Sequence, residues 1–192
     1  MRRHSHYLLM WLSLLLVFGS AMGAQESQGM KEFNARIKTY IELQKRVSSN
    51  VPPLAKTETD PAKIAIRTKA LANGIQQARS NAKPGDIFSP QAALEFRQII
   101  RAELHGKEGA PARETVKTGN PTEEDAAGKI VLAVNAPYPD RVPRSSVPPI
   151  LLLRLPHLPK ELEYRFLGRH LILLDSMADL IVDYILDVVP RV

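Results

Sequence analysis

The sequence predicts an α+β domain that follows a secretory leader, and three observations lead to this prediction. Apolar residues recur at helical spacing in three stretches of 28–104, residues 162–174 alternate around a Gly-Arg pair, and residues 175–189 are mostly apolar with an aspartate at every fourth position. We therefore expect N-terminal helices, a short strand plus a β-hairpin, and a buried C-terminal helix. In this prediction residues 24–192 form one domain, with a helical part at 24–105, a flexible linker at 106–128, and the remaining elements at 129–192.

The first 23 residues have the three parts of a signal peptide. Arg2 and Arg3 give a positive start, residues 8–18 are apolar apart from Ser13, and Ala21 and Gly23 provide a small-x-small cleavage site. A membrane-spanning helix needs about 20 apolar residues, so this run is short for a permanent anchor. We expect cleavage after Gly23 and a periplasmic or secreted protein with no stable transmembrane span after processing; an uncleaved anchor or a buried N-terminal helix is the alternative.

Composition narrows the chemistry that the chain can perform. The chain has 192 residues and no cysteine, which excludes disulfides, thiolate metal sites and a cysteine nucleophile. Its 26 Lys and Arg exceed its 20 Asp and Glu, and five basic residues fall in 63–83 without an acidic residue between them. No aromatic residue lies between Tyr40 and Phe88, which speaks against nucleic-acid binding. The basic stretch indicates either a solvated helix face or contact with an anionic partner.

Three helices are predicted in the first part of the domain. Residues 28–47 are amphipathic, and Asp60-Pro61 and Ser89-Pro90 each combine a capping side chain with a proline suited to a first helical turn. The second helix is expected to bury a stripe through residues 64, 71, 75 and 78. The third should end near Gly106.

In the middle of the chain the sequence predicts irregular structure around one strand. Glycine and proline alternate with charged residues in 106–128, which predicts a linker or mobile loop. Residues 129–135 are a strand candidate bounded by Gly128 and Pro137. Seven prolines in 137–159 require an extended course with tight turns, leaving room at 150–155 for a short strand or a single helical turn.

Residues 162–174 predict a hairpin whose two-residue turn is Gly168-Arg169. This turn fixes the register, so that Phe166 pairs with Leu171 and Tyr164 pairs with Leu173 on one face. Arg165 then pairs with Ile172 on the other face. Glu163 shares that second face with Arg165, which favours a charge network there over an acid–base cluster.

The C-terminal helix is predicted to run from a cap at Asp175 to about Val189. Asp175, Asp179, Asp183 and Asp187 would form one narrow acidic strip, because residues four apart lie on the same helix face. Apolar residues cover the rest of the circumference, which indicates burial on several sides. The strip has three interpretations: the wet side of a buried helix, a row of partners for arginine or lysine, or a divalent-cation site.

The sequence contains no nucleophile elbow, His-Glu-x-x-His motif, phosphate loop or dinucleotide-binding turn. Its mature part has three histidines, His105, His157 and His170. Ser145 or Ser146 could be combined with His157 and Asp175 into a Ser-His-Asp set, but no spacing singles these residues out. We therefore predict no catalytic residue, no metal site and no cofactor.

Several stretches together resemble a group of uncharacterised exported bacterial proteins. They are GDIF-x-P at 85–90, FR at 96–97, VN-x-x-YP at 134–139, LP-x-LP at 155–159, LEYRF at 162–166, GR at 168–169, Asp175 and DLIVD at 179–183. The similarity covers roughly residues 60–188. It implies export and a shared fold, and it implies no catalytic residue.

Together these observations favour an exported envelope protein that binds a partner without catalysis. The expected partner is an envelope protein or an anionic surface. The alternative is a periplasmic hydrolase whose polar groups converge near the hairpin and the start of the last helix. The candidate binding residues are Arg165, Arg169, His170, Asp175, Asp179 and Asp183.

Overall fold

A computed structural model describes residues 26–118, 120, 132–139 and 142–190. In these residues helices and a three-stranded antiparallel sheet, ordered β1-β2-β3, form an α+β fold. No helix in the described part is long and apolar enough to cross a membrane. The predicted leader lies outside the described residues. The elements are α1 (Gln28–Ser49), α2 (Pro61–Ala78), α3 (Pro90–Glu103), α4 (Ala110–Lys117), α5 (Pro149–Arg154), β1 (Leu162–Leu167), β2 (His170–Asp175) and β3 (Leu180–Ile185).

Helices α2 and α3 begin where the capping signals predict, and α1 begins at residue 28, as its amphipathic spacing predicts. The Asp60 side chain accepts a hydrogen bond from the Ala62 amide, and Ser89 accepts one from the Ala92 amide, each with a proline in the first turn. The predicted stripe of α2 is only partly buried: Leu71 and Ile75 are inside, whereas Ile64 is 41% exposed. The first turns of α2 therefore lack a packing partner.

The helices meet the sheet through a cluster of aromatic rings. Phe96 on α3 has its ring centroid 4.9 Å from Phe33 on α1, 5.0 Å from Phe88 and 5.8 Å from Tyr164 on β1. Offset and edge-to-face pairs at these distances add to the stabilisation from buried apolar area. The cluster fixes α1, α3 and β1 relative to one another.

The hairpin prediction is confirmed residue by residue. β1 and β2 pair antiparallel with Phe166 opposite Leu171, Tyr164 opposite Leu173 and Arg165 opposite Ile172. Gly168 has a positive φ of 58° in the turn, a conformation that costs glycine little because it has no Cβ.

The predicted C-terminal helix is wrong. Residues 176–179 form a turn, and Leu180–Ile185 is strand β3, paired antiparallel with β2. A strand buried on both faces also reads as a continuous apolar run, and its β-branched Ile181, Val182 and Ile185 favour the extended form. The burial of the segment was predicted correctly, because Ile181 and Val182 are fully buried.

With a strand in place of the helix, the acidic strip does not exist. Asp179 and Asp187 occupy the turns on either side of β3 with φ of 53° and 51°, a left-handed conformation that aspartate tolerates better than most residues. Asp175 ends β2, and Asp183 lies within β3. The four aspartates therefore share a regular spacing in the sequence but not one face: two lie in turns and two lie in strands.

An irregularity in the sheet places the Asp183 side chain. Leu173 is opposite Asp183, but its neighbour Leu174 is opposite Ile181, so Val182 is an extra residue on β3. Such a bulge bends the strand and changes the direction of its side chains. Val182 and Asp183 both lie in the layer between the sheet and the helices.

The middle of the chain differs from its prediction. Residues 110–117 of the expected linker form helix α4. Its Val116 is buried in the larger hydrophobic core, which gives this segment a packing partner. Residues 129–131 of the strand candidate lie outside the described part, and residues 132–135 are not in a strand. Pro137 forms an isolated bridge with Leu180, so this segment follows the edge of β3 without extending the sheet.

The sheet has a core on each side. The larger core includes the aromatic cluster and the inner faces of α1, α2 and α3. The smaller core lies on the opposite face and is covered by residues from the 132–142 segment. Its buried members are Tyr138, Leu167, Ile172, Leu174 and Ile181.

Candidate functional site

Asp183 is a buried carboxylate that holds the 85–88 turn to the sheet. Its Oδ2 accepts hydrogen bonds from the Ile87 and Phe88 amides, both at 2.8 Å, and its Oδ1 accepts from the amides of Gly85 at 3.0 Å and Tyr184 at 2.8 Å. Burial raises the pKa of Asp183, although these four bonds act in the opposite direction. The side chain is fully buried and its oxygens accept four hydrogen bonds, so it holds β3 to the 85–88 turn.

Asp175 is equally buried and joins α1 to the turn that precedes β3. Its Oδ2 accepts from the Tyr40 hydroxyl at 2.7 Å and from Gln44 Nε2 at 2.9 Å. Its Oδ1 accepts from the amides of Met177 and Ala178. Burial and the adjacent carboxylate raise the pKa of Tyr40, so its hydroxyl remains a donor to Asp175.

The other candidates near the hairpin lie at the two ends of β3. Asp179 pairs with Arg144 at 2.5 Å, and Asp187 pairs with Arg169 at 3.3 Å. The Arg169 Nε also donates to the Val189 carbonyl, and His170 Nδ1 accepts from the Asp187 amide. Arg169 and His170 thus fasten the last described residues to the hairpin turn. In both acidic turns the interpretation as arginine partners fits the structure.

The basic stretch is divided between structural and exposed side chains. Arg67 donates to Ser48 Oγ and to the Val51 carbonyl. Arg79 lies over the Tyr40 ring, donates to Asn135 Oδ1, and has its pKa lowered by burial. Both arginines are committed to bonds within the fold. Lys63 and Lys69 remain exposed.

The candidate site is an apolar groove of about 720 Å³ between α5 and β1. Leu162 and Tyr164 of β1 contribute buried side chains to it, and Val147 and Leu158 contribute half-buried ones. Leu153 of α5 also lines the groove and is 77% exposed. Contiguous exposed apolar surface on a folded protein is typical of a binding site.

Polar side chains at the groove form a chain of ion pairs that brings together two of the predicted residues. Arg165 Nη2 lies 2.7 Å from Glu163 Oε2, Glu163 Oε1 lies 3.9 Å from Arg144, and Arg144 binds Asp179. The network expected for Glu163 and Arg165 is confirmed. Within the described part of the chain, Glu163 Oε1 and Arg165 Nε are buried without a hydrogen-bond partner. Such atoms are uncommon in folded proteins and carry a desolvation cost.

The residues considered for a Ser-His-Asp set are not assembled into one. Ser145 is buried and binds the backbone of Phe166 through both its donor and its acceptor. Asp175 is occupied on the α1 side of the sheet. Ser146 and His157 do line the groove with Glu163, but no hydrogen bond among the described residues connects these three side chains.

Sequence reasoning missed the apolar residues of the groove. Residues 150–155, which overlap this helix (149–154, PILLLR), were predicted only as a short strand or a single helical turn within a proline-rich segment. A helix of six residues buries one side, and here Leu151 is buried while Leu152 and Leu153 are not. Four apolar residues in so short an element were the available signal, since they exceed what one buried face can hold.

Comparisons with protein-family models, with curated proteins and with solved structures found no match. The interpretation of the groove therefore rests on its own residues and geometry. Among the described residues, no cluster of three or more acidic or histidine side chains could hold a metal ion.

Proposed function

We propose that this chain is an exported envelope protein that binds another envelope protein without catalysis, through the groove between α5 and β1. The observation that carries the proposal is the groove itself, an apolar depression of about 720 Å³ with Leu153 standing 77% exposed beside it. An apolar segment of a partner would remove these side chains from water, at about 25 cal/mol per Å² of apolar area.

The ion pairs at the groove favour a peptide segment as the ligand. Arg165 and Glu163 neutralise each other, so the groove offers no net charge to attract a charged small molecule. Arg165 Nε and Glu163 Oε1 hold one unused donor and one unused acceptor. A small rearrangement of the pair on binding would let a peptide amide, which has one donor and one acceptor, satisfy both.

Site-specific photo-crosslinking in the exporting cell tests the groove. A photoreactive residue in place of Leu153 should give one discrete protein adduct, and adduct formation should fall when Leu158→Glu is added. The matched control replaces Leu94, which is 50% exposed on α3, and should give no such adduct. If positions 153 and 94 label the same proteins equally, the groove is not a binding site.

Export is proposed from the first 23 residues and from the resemblance to exported bacterial proteins. Cell fractionation should place the protein in the periplasm or medium, and N-terminal sequencing should find Ala24 first. Leu14→Arg, which interrupts the apolar run, should leave the chain unprocessed in the cytoplasm. Cytoplasmic location of the unmodified chain would contradict the proposal.

A hydrolase is the second candidate, because Ser146, His157 and Glu163 line the same groove. Catalytic hydrogen bonds are often long before a substrate binds. Hydrolysis of a p-nitrophenyl acyl ester tests this function. Activity that is lost in Ser146→Ala and in His157→Ala, but kept in the control His105→Ala, would favour the hydrolase over the binding protein.

A further inference from the structure

The start of α2 extends beyond the end of the helix it packs on. Val47 of α1 lies against Gly74 of α2, and Ser48 accepts a hydrogen bond from the long side chain of Arg67. Since α1 ends at Ser49, residues 61–66 project past their neighbour. All six are exposed.

Two isoleucines stand on this projection. Ile64 is 41% exposed, and Ile66 is 68% exposed. Isolated apolar residues are common on protein surfaces, so exposure alone assigns them no role. Their surroundings are what distinguishes them.

Basic side chains are frequent in the segment that carries the two isoleucines, and the neighbouring carboxylates are occupied. Glu58 accepts from the amides of Thr59 and Asp60 and pairs with Lys63, while Asp60 caps the helix. The exposed cations of residues 56–69 outnumber these two acids. They are Lys56, Lys63 and Lys69.

We propose that this end of the molecule, the α2 tip (residues 56–69), binds the surface of an anionic lipid bilayer. Ile64 and Ile66 enter the interface between headgroups and acyl chains, and the exposed lysines of the tip contact the lipid phosphates. Two apolar side chains and a few cations give weak binding that salt screens. The α2 tip shares no residue with the groove, so this proposal does not depend on the proposed function.

Vesicle co-sedimentation tests the α2 tip. The processed chain, purified from exporting cells with its N-terminus determined, is mixed with phosphatidylcholine vesicles that contain or lack phosphatidylglycerol. We expect binding at low salt to vesicles with phosphatidylglycerol, loss of binding at high salt, and little binding to phosphatidylcholine alone. Failure of the unmodified chain to bind phosphatidylglycerol vesicles at low salt overturns the proposal.

Matched variants distinguish binding by the α2 tip from nonspecific adsorption to vesicles. The double variant Ile64→Ser/Ile66→Ser should bind about tenfold more weakly, whereas Leu94→Ser on α3 should bind like the unmodified chain. Lys63→Gln/Lys69→Gln should weaken binding to anionic vesicles, and Lys117→Gln/Lys107→Gln should not. The affected side chains are exposed, so thermal unfolding should be unchanged. Equal effects at the tip and at the control positions contradict the proposal.

Discussion

Charged residues on the two faces of the sheet differ in burial and in how completely they are hydrogen-bonded. On the face covered by helices, Asp175 and Asp183 are fully buried, and each accepts four hydrogen bonds. On the opposite face, Glu163 and Arg165 are partly exposed, pair with each other, and each leaves one buried atom without a hydrogen-bond partner in the described part.

This difference separates the residues that hold the fold from those beside the proposed binding groove. A buried carboxylate is tolerated only when its hydrogen bonds are complete, and removal of its partners is costly. A half-exposed ion pair contributes little to stability and can rearrange. The helix-covered face thus fixes the architecture, and the groove beside β1 offers the adaptable surface.

The largest effect is expected from a charge placed in the smaller core. Ile181→Asp buries an unpaired carboxylate among Tyr138, Ile172 and Leu174 and should abolish cooperative unfolding. Circular dichroism during a thermal scan provides the measurement. The control Leu186→Asp, at a residue 46% exposed, should unfold close to the unmodified chain. Wild-type stability in Ile181→Asp would falsify the placement of β3.

The second effect tests the buried carboxylate of the helix-covered face. Asp183→Asn replaces one carboxylate oxygen by an NH2 group, which cannot accept hydrogen bonds from the amides that now donate to that oxygen. The free energy of unfolding should therefore fall by about 3 kcal/mol. Urea denaturation measures it. Asp187→Asn makes the same change at a side chain 59% exposed and should cost under about 1 kcal/mol. Similar losses in both variants would show that the amide contacts to Asp183 are not important for stability.

A smaller effect is expected at Tyr40. Tyr40→Phe removes one of the four donors to Asp175 and should cost about 1–2 kcal/mol in urea denaturation. The half-buried Tyr184 provides the control, since Tyr184→Phe should cost under about 0.5 kcal/mol. An unchanged midpoint in Tyr40→Phe would contradict the role assigned to Asp175.

The smallest effect concerns a partly exposed carboxylate, that of Glu95. Hydrogen bonds from Ser27 and Gln91 hold the pKa of Glu95 below its ordinary value of 4.5. Its stabilisation is therefore complete above pH 4.5 and is lost as the pH falls through the lowered value. Glu95→Gln should flatten the acid side of a stability profile, by under about 1 kcal/mol, and Ser27→Ala should do the same. If the acid side of the profile is as steep in both variants as in the unmodified chain, the hydrogen bond between Ser27 and Glu95 does not contribute to the pH dependence of stability.

Local signals in the sequence were sufficient for the helices and the hairpin. The Asp60-Pro61 and Ser89-Pro90 starts depend on hydrogen bonds within four residues, and the Gly168-Arg169 turn fixes the register of its own strands. Local signals failed for β3. The four-residue spacing of the aspartates in and around it predicts a helix, whereas its apolar run is equally compatible with a strand buried on both faces.

The candidate site was predicted only in part. Arg165 and Asp179 were chosen from the sequence and belong to one chain of ion pairs beside the groove. Asp175 and Asp183 were chosen for a shared helix face and are instead buried in separate hydrogen-bond networks. Their long-range donors include Tyr40, 135 residues from Asp175, and Gly85, 98 residues from Asp183, and no local pattern could have indicated these.

The sequence by itself determined where helices α1, α2 and α3 begin and how the hairpin pairs, because caps, prolines and a two-residue turn act between near neighbours. Only the tertiary structure decided that residues 180–185 form a strand, which carboxylates are buried, and where apolar surface stays uncovered. Those outcomes depend on contacts between segments distant in the chain, whose packing and complete hydrogen bonding outweigh local preference.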